Sequence, residues 1–417
     1  MNGAPADPRL RGATSAGRTA DAGHASFSPT RRSLLLGLWA SIVVGGTRAA
    51  FGQAPGDRRL VVILLRGAMD GLHVVEPYGD PDFAELRPTL RLPEPGQENG
   101  LLDLGGTFGL HPALANLHGL YRADQALIVH AVAGPYRSRS HFEAQDMLEA
   151  GGDQRLTSGW LNRALQGMTQ AGQARTGLAV GTGVPLLLRG PAPVGAYAPP
   201  GLDRPQPDLM LRLAALQDAD PALGPLFREG LRARGFAEQT LGPPENDPER
   251  GNFPRLAAAA ARLLAEPQGP RVAALEIGGW DTHAGQVGRI MGPLRALDAG
   301  IAQLQAGLGA AWAQTAVLVI TEFGRTARAN GNNGTDHGTA GVAFLLGGAV
   351  AGGRVATDWP GLKPDSLLDN RDLRPTTDLR AVAKALLQDH LRLPPAAVAQ
   401  AFPGSGSAAP VRNLIRA

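Results

Sequence analysis

Carboxylates, imidazoles and a hydroxyl recur in four short clusters, each where a hydrophobic run stops: Asp70, the segment Ser138–His141, Asp281 with His283, and Glu322 followed by Asp336 and His337. Oxygen and imidazole donors of this kind hold divalent cations, and a hydroxyl beside them can act as a nucleophile, so the set points to metal-dependent hydrolysis. Asp70 stands in a turn between Gly67 and Gly71, where the backbone can approach a crevice closely; the position equally suits a turn aspartate bonding its own backbone. Ser138 and Ser140 precede a helical pattern, so either hydroxyl can meet the free N–H groups of a helix start, and Ser140 is the nucleophile candidate. Ser140 and Glu143 also stand in the S-x-x-E relation of a capping box. Arg139 and Arg325 are candidates to hold a non-bridging oxygen of a phosphate or sulfate ester. In Asp281-Thr282-His283 the spacing of two puts both donors on one side of an extended chain, and Asp336-His337 lies between glycines. The candidate metal set is Asp70, Asp281, His283, Glu322, Asp336 and His337, for Zn, Mn, Mg or Ca. His111, at a helix start, is within reach of the same site, whereas His73, His130 and His390 have no such support.

The elements that must position these groups alternate in type. Continuous aliphatic runs at Leu60–Leu65, Ala126–Val132, Val272–Ile277, Ala316–Ile320 and Val342–Leu346 read as strands buried on both faces, and Gly177–Val180 as a shorter one. Helical patterns run over Pro112–Asp124, His141–Ala150 (ending at Gly151-Gly152), Ser158–Gln166, Pro254–Ala265, Val287–Leu308 and Thr377–Gln388. This βαβ rhythm predicts an α/β fold, with the polar clusters at the carboxyl ends of its strands. Residues 58–400 form the body. Pro and Gly cluster over 184–252, which reads as an insertion or cap with helices over Pro207–Gln217 and Pro221–Gly235. Residues 401–417 read as a flexible tail.

Composition narrows the function classes. The chain has 417 residues, of which 43% are hydrophobic, enough for a large core. Residues 1–52 hold six arginines against Asp7 and Asp21, a net +4, so the rest carries −1 of the formal +3. With no basic run interleaved with aromatics in the body, nucleic-acid binding is disfavoured. Thr30-Arg31-Arg32-Ser33-Leu34-Leu35, the apolar stretch to Gly46 and the small residues near Ala49 fit a twin-arginine export signal within residues 1–52, read by the twin-arginine translocation machinery. The apolar stretch is short for a membrane span, so the mature protein is expected to be periplasmic or exported without a stable anchor. Zero cysteine excludes disulfides and thiolate metal sites. The chain lacks a G-x-S-x-G elbow, a G-x-x-x-x-G-K-[ST] loop and an H-E-x-x-H helix, which leaves the serine-esterase, P-loop and zincin readings without their motifs.

The leader, R-G-x-x-D-G-L (Arg66–Leu72), G-L-H-P-A-L (Gly109–Leu114), S-H-F-E-A-Q (Ser140–Gln145), G-W-D-T-H (Gly279–His283), T-E-F-G-R-T (Thr321–Thr326) and D-H-G (Asp336–Gly338) together resemble the bacterial domain-of-unknown-function family 1501. That family is similar to the alkaline phosphatase and sulfatase superfamily. The resemblance implies a three-layer α/β sandwich on a mostly parallel sheet, and one or two divalent metals beside a hydroxyl nucleophile. It assigns Asp70 as the first-strand metal aspartate, Ser140 as nucleophile, Asp281 and His283 as the mid-chain ligand pair, Glu322 as the carboxylate of the next strand end and His337 as the late histidine, with Asp336 assisting. Where two-metal members carry an Asp-His pair, this chain has Glu322-Phe323, so the second imidazole must come from His141 or His111. The formylglycine sulfatase motif is absent. The implied activity is hydrolysis of a small-molecule phosphate or sulfate ester; the alternative, motivated by that missing imidazole, is an exported binding or assembly protein that has lost the chemistry.

Overall fold

Six strands carry the aliphatic runs, and three further ones complete a nine-stranded mixed sheet. The computed structural model describes residues 57–168, 177–181, 183–197, 240 and 252–416. The segment read as an export leader, and the two helices expected over 207–235, lie outside the described residues. The strands are β1 (Arg59–Leu65), β2 (Ala126–Ala133), β3 (Gly177–Val180), β4 (Val194–Tyr197), β5 (Val272–Ile277), β6 (Thr315–Thr321), β7 (Gly341–Leu346), β8 (Arg354–Ala356) and β9 (Thr377–Asp378). Their order is β8-β2-β7-β6-β1-β5-β3-β4, with β9 also paired to β2. The helices are α1 (Ala115–Arg122), α2 (His141–Ala150), α3 (Trp160–Met168), α4 (Asn252–Ala265), α5 (Met291–Leu308), α6 (Leu379–Ala385) and α7 (Pro395–Ala401).

Alternation along the strands divides the core in two. Val61, Ile63 and Leu65 of β1, with Val317 and Val319 of β6, face α4 and α5 through Leu256, Ala260, Leu297 and Ile301. Leu60, Val62 and Leu64, with Leu318 and Ile320, face the opposite layer, where Trp160, Leu161, Val382 and Val398 close a second core. The result is a three-layer α/β sandwich whose central strands are apolar on both faces, as the uninterrupted runs required.

The sheet is mostly parallel, as expected, with one antiparallel strand, and one expectation, the flexible tail, needs correction. β7 runs antiparallel to both β2 and β6, while every other pairing in the sheet is parallel. A parallel return would need a crossover element. Instead the connection from β6 doubles back on itself, with Gly324 N–H donating to Thr339 C=O at 2.9 Å and Gly338 N–H to Gly324 C=O at 2.8 Å. The supposed flexible tail is packed: Phe402 and Leu414 are buried in the second core, and Ser405 and Ala408 carbonyls accept the Lys384 ammonium at 2.6 and 2.8 Å. Its Gly and Ser content mimics a linker, but the buried Ala401, Phe402, Ala408 and Leu414 and a strand bridge between Val350 and Ile415 hold it down.

Candidate metal centre

Four loops leave the carboxyl ends of β1, β2, β5 and β6 at one edge of the sheet, the usual crevice of an open α/β fold. Each is shaped locally. After β5, Trp280 is buried and its indole N–H closes on the Ile277 carbonyl at 3.1 Å, so Asp281 emerges directly at the strand end. Thr282 turns inward to Gln286 at 3.0 Å, which leaves Asp281 and His283 on the same open side, as their spacing predicted. Gly334 lets the β6–β7 loop press against that segment, since a Cβ there would lie 2.4 Å from the His283 carbonyl. After β2, the chain enters α2 at Ser140, and the helix ends at Gly151 in the left-handed region, φ +68°.

The loops bring four donor atoms together. His141 Nε2 lies 2.9 Å from His337 Nε2, and both are 3.6 Å from Asp281 Oδ1. His283 Nε2 is 2.9 Å from His337 Nε2 and 3.1 Å from Asp281 Oδ1. The ligand atoms of His141, Asp281 and His337 all fall within 4.8 Å of one another, and this trio is the metal-capable group found among the described residues.

The outer hydrogen bonds decide what these nitrogens can do. His141 Nδ1 faces the Glu322 carboxylate at 2.7 Å, His283 Nδ1 faces Asp336 at 3.2 Å, and His337 Nδ1 faces the Arg139 carbonyl at 2.8 Å. All three partners can only accept, which assigns the proton of each neutral ring to Nδ1 and leaves the Nε2 lone pairs of His141 and His283 each pointing at that of His337. Contacts of 2.9 Å between lone pairs are repulsive unless a cation or proton lies between them. His141, His337 and Asp281, with the imidazoles fixed by outer acceptors, form a donor set for a divalent ion, and His283 flanks it beside His337 and Asp281, so the residues present fit a metal.

Charge is distributed to match. Asp281 is held below the usual carboxylate range: burial pushes it up, but the Arg325 guanidinium, 2.6 Å away, outweighs this. The hydrogen bond to Glu322 raises His141, while burial lowers His337, helped by nearby positive groups. Phe323, standing where an imidazole was expected, forms the ring wall instead, with centroids 4.9 Å from His141 and 5.1 Å from His337.

The six expected ligands therefore separate into three kinds. Asp281, His283 and His337 converge. Glu322 and Asp336 sit behind imidazoles and orient them. Asp70 is not at the centre: it is fully buried, with Oδ1 accepting from Leu72 N–H and Oδ2 from Arg87 at 2.6 Å and Gln286 at 2.7 Å, leaving no oxygen for an ion. Through Gln286, which also bonds Thr282 and Thr335, it ties the β5 and β6 loops to β1. His141, one of the two histidines the sequence offered as the second imidazole, stands beside His337 and Asp281; its place at the turn into α2 was the signal, overshadowed by the neighbouring serines. His111 is elsewhere, its Nδ1 accepting from Ala113 N–H and its pKa pushed down to about 3 by burial and His73.

The remaining candidates are also placed. Arg325 is saturated by the Gly67, Ala68, Trp280 and Thr335 carbonyls and Asp281, so its guanidinium is not free for a substrate oxygen, whereas Arg139 is held by Asp372 through Nε and Nη2. Ser140 occupies the N-cap of α2, but its hydroxyl caps nothing. The capping box is not made, because Glu143 instead accepts from Tyr136 Oη at 2.6 Å. Behind Asp336 and Asn330 opens a cavity of about 340 Å³, lined also by Asp82, Thr326 and Arg328.

No curated protein matches the sequence. Among solved structures, the chain is similar to the zinc complex of the C-terminal periplasmic domain of EcEptC from Escherichia coli, with 11% identity over 72% of this chain and 76% of that one and a TM-score of 0.33. A protein in the alkaline phosphatase superfamily from Vibrio parahaemolyticus matches with 11% identity over 73% and 63%, TM-score 0.31. The phosphonate monoester hydrolase of Agrobacterium radiobacter matches with 12% identity over 81% and 74%, TM-score 0.29. Residues 124–402 match the model of the family described as "Protein of unknown function (DUF1501)", and the chain belongs to that family.

Proposed function

We propose that this protein is an exported, metal-dependent hydrolase of phosphate or sulfate esters. The observation that carries the reading is the convergence of three Nε2 lone pairs and Asp281 Oδ1, each imidazole held from behind by a group that can only accept. His141, His337 and Asp281 would hold the divalent ion, with His283 beside them. When bound, the ion supplies Lewis-acid stabilisation of the charge that develops on the ester oxygens. Ser140 is the proposed nucleophile: its hydroxyl is uncommitted, and it lies in sequence between the carbonyl that orients His337 and the donor His141. Its oxygen attacks the ester phosphorus or sulfur, the alcohol leaves with a proton, and water then cleaves the seryl ester to restore the hydroxyl. Glu322 and Asp336 keep His141 and His283 in their donor tautomers, and Arg325 keeps Asp281 ionised. Export rests on the Arg31-Arg32 leader; no helix among the described residues is long and apolar enough to cross a membrane.

Metal content and turnover of aryl phosphates, phosphodiesters and aryl sulfates, measured on the purified protein, test the reading. Wild type is expected to hold metal and turn over at least one ester class, and His283→Ala with His337→Ala to lose both. Ser140→Ala is expected to keep the metal and lose turnover; retained turnover would transfer the attack to water. A folded protein that takes up no divalent ion and cleaves none of the esters overturns the proposal.

A further inference from the structure

We infer that Asp372 is a positioning residue for this centre: one buried carboxylate clamps the two segments that carry His141 and His337. The inference rests on reading the four donors as a metal site. Asp372 is fully buried, and its Oδ2 accepts from Arg139 Nη2 at 2.8 Å, Arg139 Nε at 3.2 Å and Thr339 Oγ1 at 2.8 Å. Arg139 is two residues before His141, and Thr339 two after His337. Arg139 also has a left-handed backbone, φ +55°, a conformation that non-glycine residues hold only when their surroundings enforce it. That conformation aims its carbonyl at His337 Nδ1. Asp372 in turn is fixed by a tight turn, with Asp369 and Asn370 left-handed and Leu368 and Asp372 exchanging backbone bonds at 2.8 and 3.0 Å. The turn is docked on the β6–β7 loop through Ala327 N–H to Arg371 C=O at 3.0 Å. Without the Asp372 carboxylate, the nearest remaining anion for Arg139 is the exposed Asp369 at 3.9 Å. The strained residue then relaxes, its carbonyl turns away, and His337 loses the acceptor that fixes its tautomer.

The test uses Asp372→Asn in the full chain, with two readouts: imidazole ¹H–¹⁵N spectra of the metal-free protein, and Zn²⁺ affinity by chelator competition. Loss of the His337 Nδ1–H signal and about a 10- to 100-fold weaker Zn²⁺ affinity are expected, the range typical for losing an outer partner of a metal ligand. Adding Arg139→Gly, which adopts the left-handed backbone without an anchor, is expected to recover the signal and part of the affinity. Asp298→Asn is the control: that carboxylate is also buried, holding the start of α1, and its loss is expected to lower stability without moving Zn²⁺ affinity. Should Asp372→Asn fail to fold, Thr339→Val removes one arm of the clamp and is expected to weaken binding in the same direction. An Asp372→Asn protein with wild-type spectra and affinity, or one indistinguishable from Asp298→Asn, overturns the inference. If wild type takes up no Zn²⁺, the metal reading fails, while the spectra of the metal-free variants still decide the positioning role.

Discussion

Glu322 offers the sharpest test of the outer support. Its Oε1 accepts from His141 Nδ1 at 2.7 Å, Gly67 N–H at 2.9 Å and Gln145 Nε2 at 3.0 Å. Burial pushes this carboxyl up, but the His141 and Gln145 hydrogen bonds outweigh it and leave the group below its ordinary value. Glu322→Gln keeps the shape and one acceptor oxygen while removing the charge. A hydrogen bond to a charged group contributes about 1.5–3 kcal/mol net, which at about 1.4 kcal/mol per decade corresponds to roughly 10- to 150-fold in metal affinity. The pH dependence fixes the sign. His141 is raised above 6.5, chiefly by its bond to Glu322, and an ion must displace the proton that His141 Nε2 then carries. Wild-type affinity is therefore full above the raised value and falls as pH drops through it. In Glu322→Gln that window moves to lower pH, so the deficit is greatest in alkaline buffer and narrows in acid. Chelator-competition titrations from about pH 5 to about pH 8 cover the range in which a histidine titrates. A folded variant whose affinity tracks wild type at every pH would refute the argument that Glu322 acts through His141.

The metal-free protein should show the converse linkage: the paired His141 imidazolium adds stability that is fully present below the unfolded histidine value and lost as pH rises through the raised folded one, measurable as a falling urea midpoint. Asp70→Asn leaves Arg87 buried without its counterion and is expected to cost about 3–5 kcal/mol in urea unfolding while keeping the same metal stoichiometry. Because the Arg87 charge outweighs burial and depresses Asp70, the stability it supplies in wild type is present above about pH 3.9 and lost as pH falls through the folded value, so the variant's acid unfolding curve should be flatter. Arg325→Met strips buried carbonyls of their donor, at about 1–3 kcal/mol for each one left unpaired, and should weaken metal binding most in acid, where Asp281 loses its depressed value.

Much of this architecture was legible in the chain because the strands are buried on both faces and read as unbroken aliphatic runs. Gly177–Val180 and Val272–Ile277 fall on the expected residues, as does α2 from His141 to Ala150. Local pattern carries no strand direction, and the antiparallel β7 follows from a loop closed by backbone bonds between distant glycines. The predicted long helix over Val287–Leu308 breaks into Gln286–Arg289 and Met291–Leu308, just before Pro293, which has no N–H to bond back to the Arg289 carbonyl. In the site, residue type located the carboxylates, but which of them touch an ion and which stand behind an imidazole depends on third-dimension partners such as Arg87 for Asp70 and His141 for Glu322. A backbone carbonyl, that of Arg139, is invisible to any reading of side chains.

The donors His141 and His337 are 196 positions apart in the chain, and the other two lie on a separate loop between them. No partly assembled chain can therefore present the full site; it exists only once β1, β2, β5 and β6 are side by side. Chelation should thus strip a folded protein rather than unravel it, because the ion arrives after the sheet that receives it. Under the export proposed above, taking up the ion before the membrane is crossed would amount to an inspection: only correctly built molecules would leave loaded.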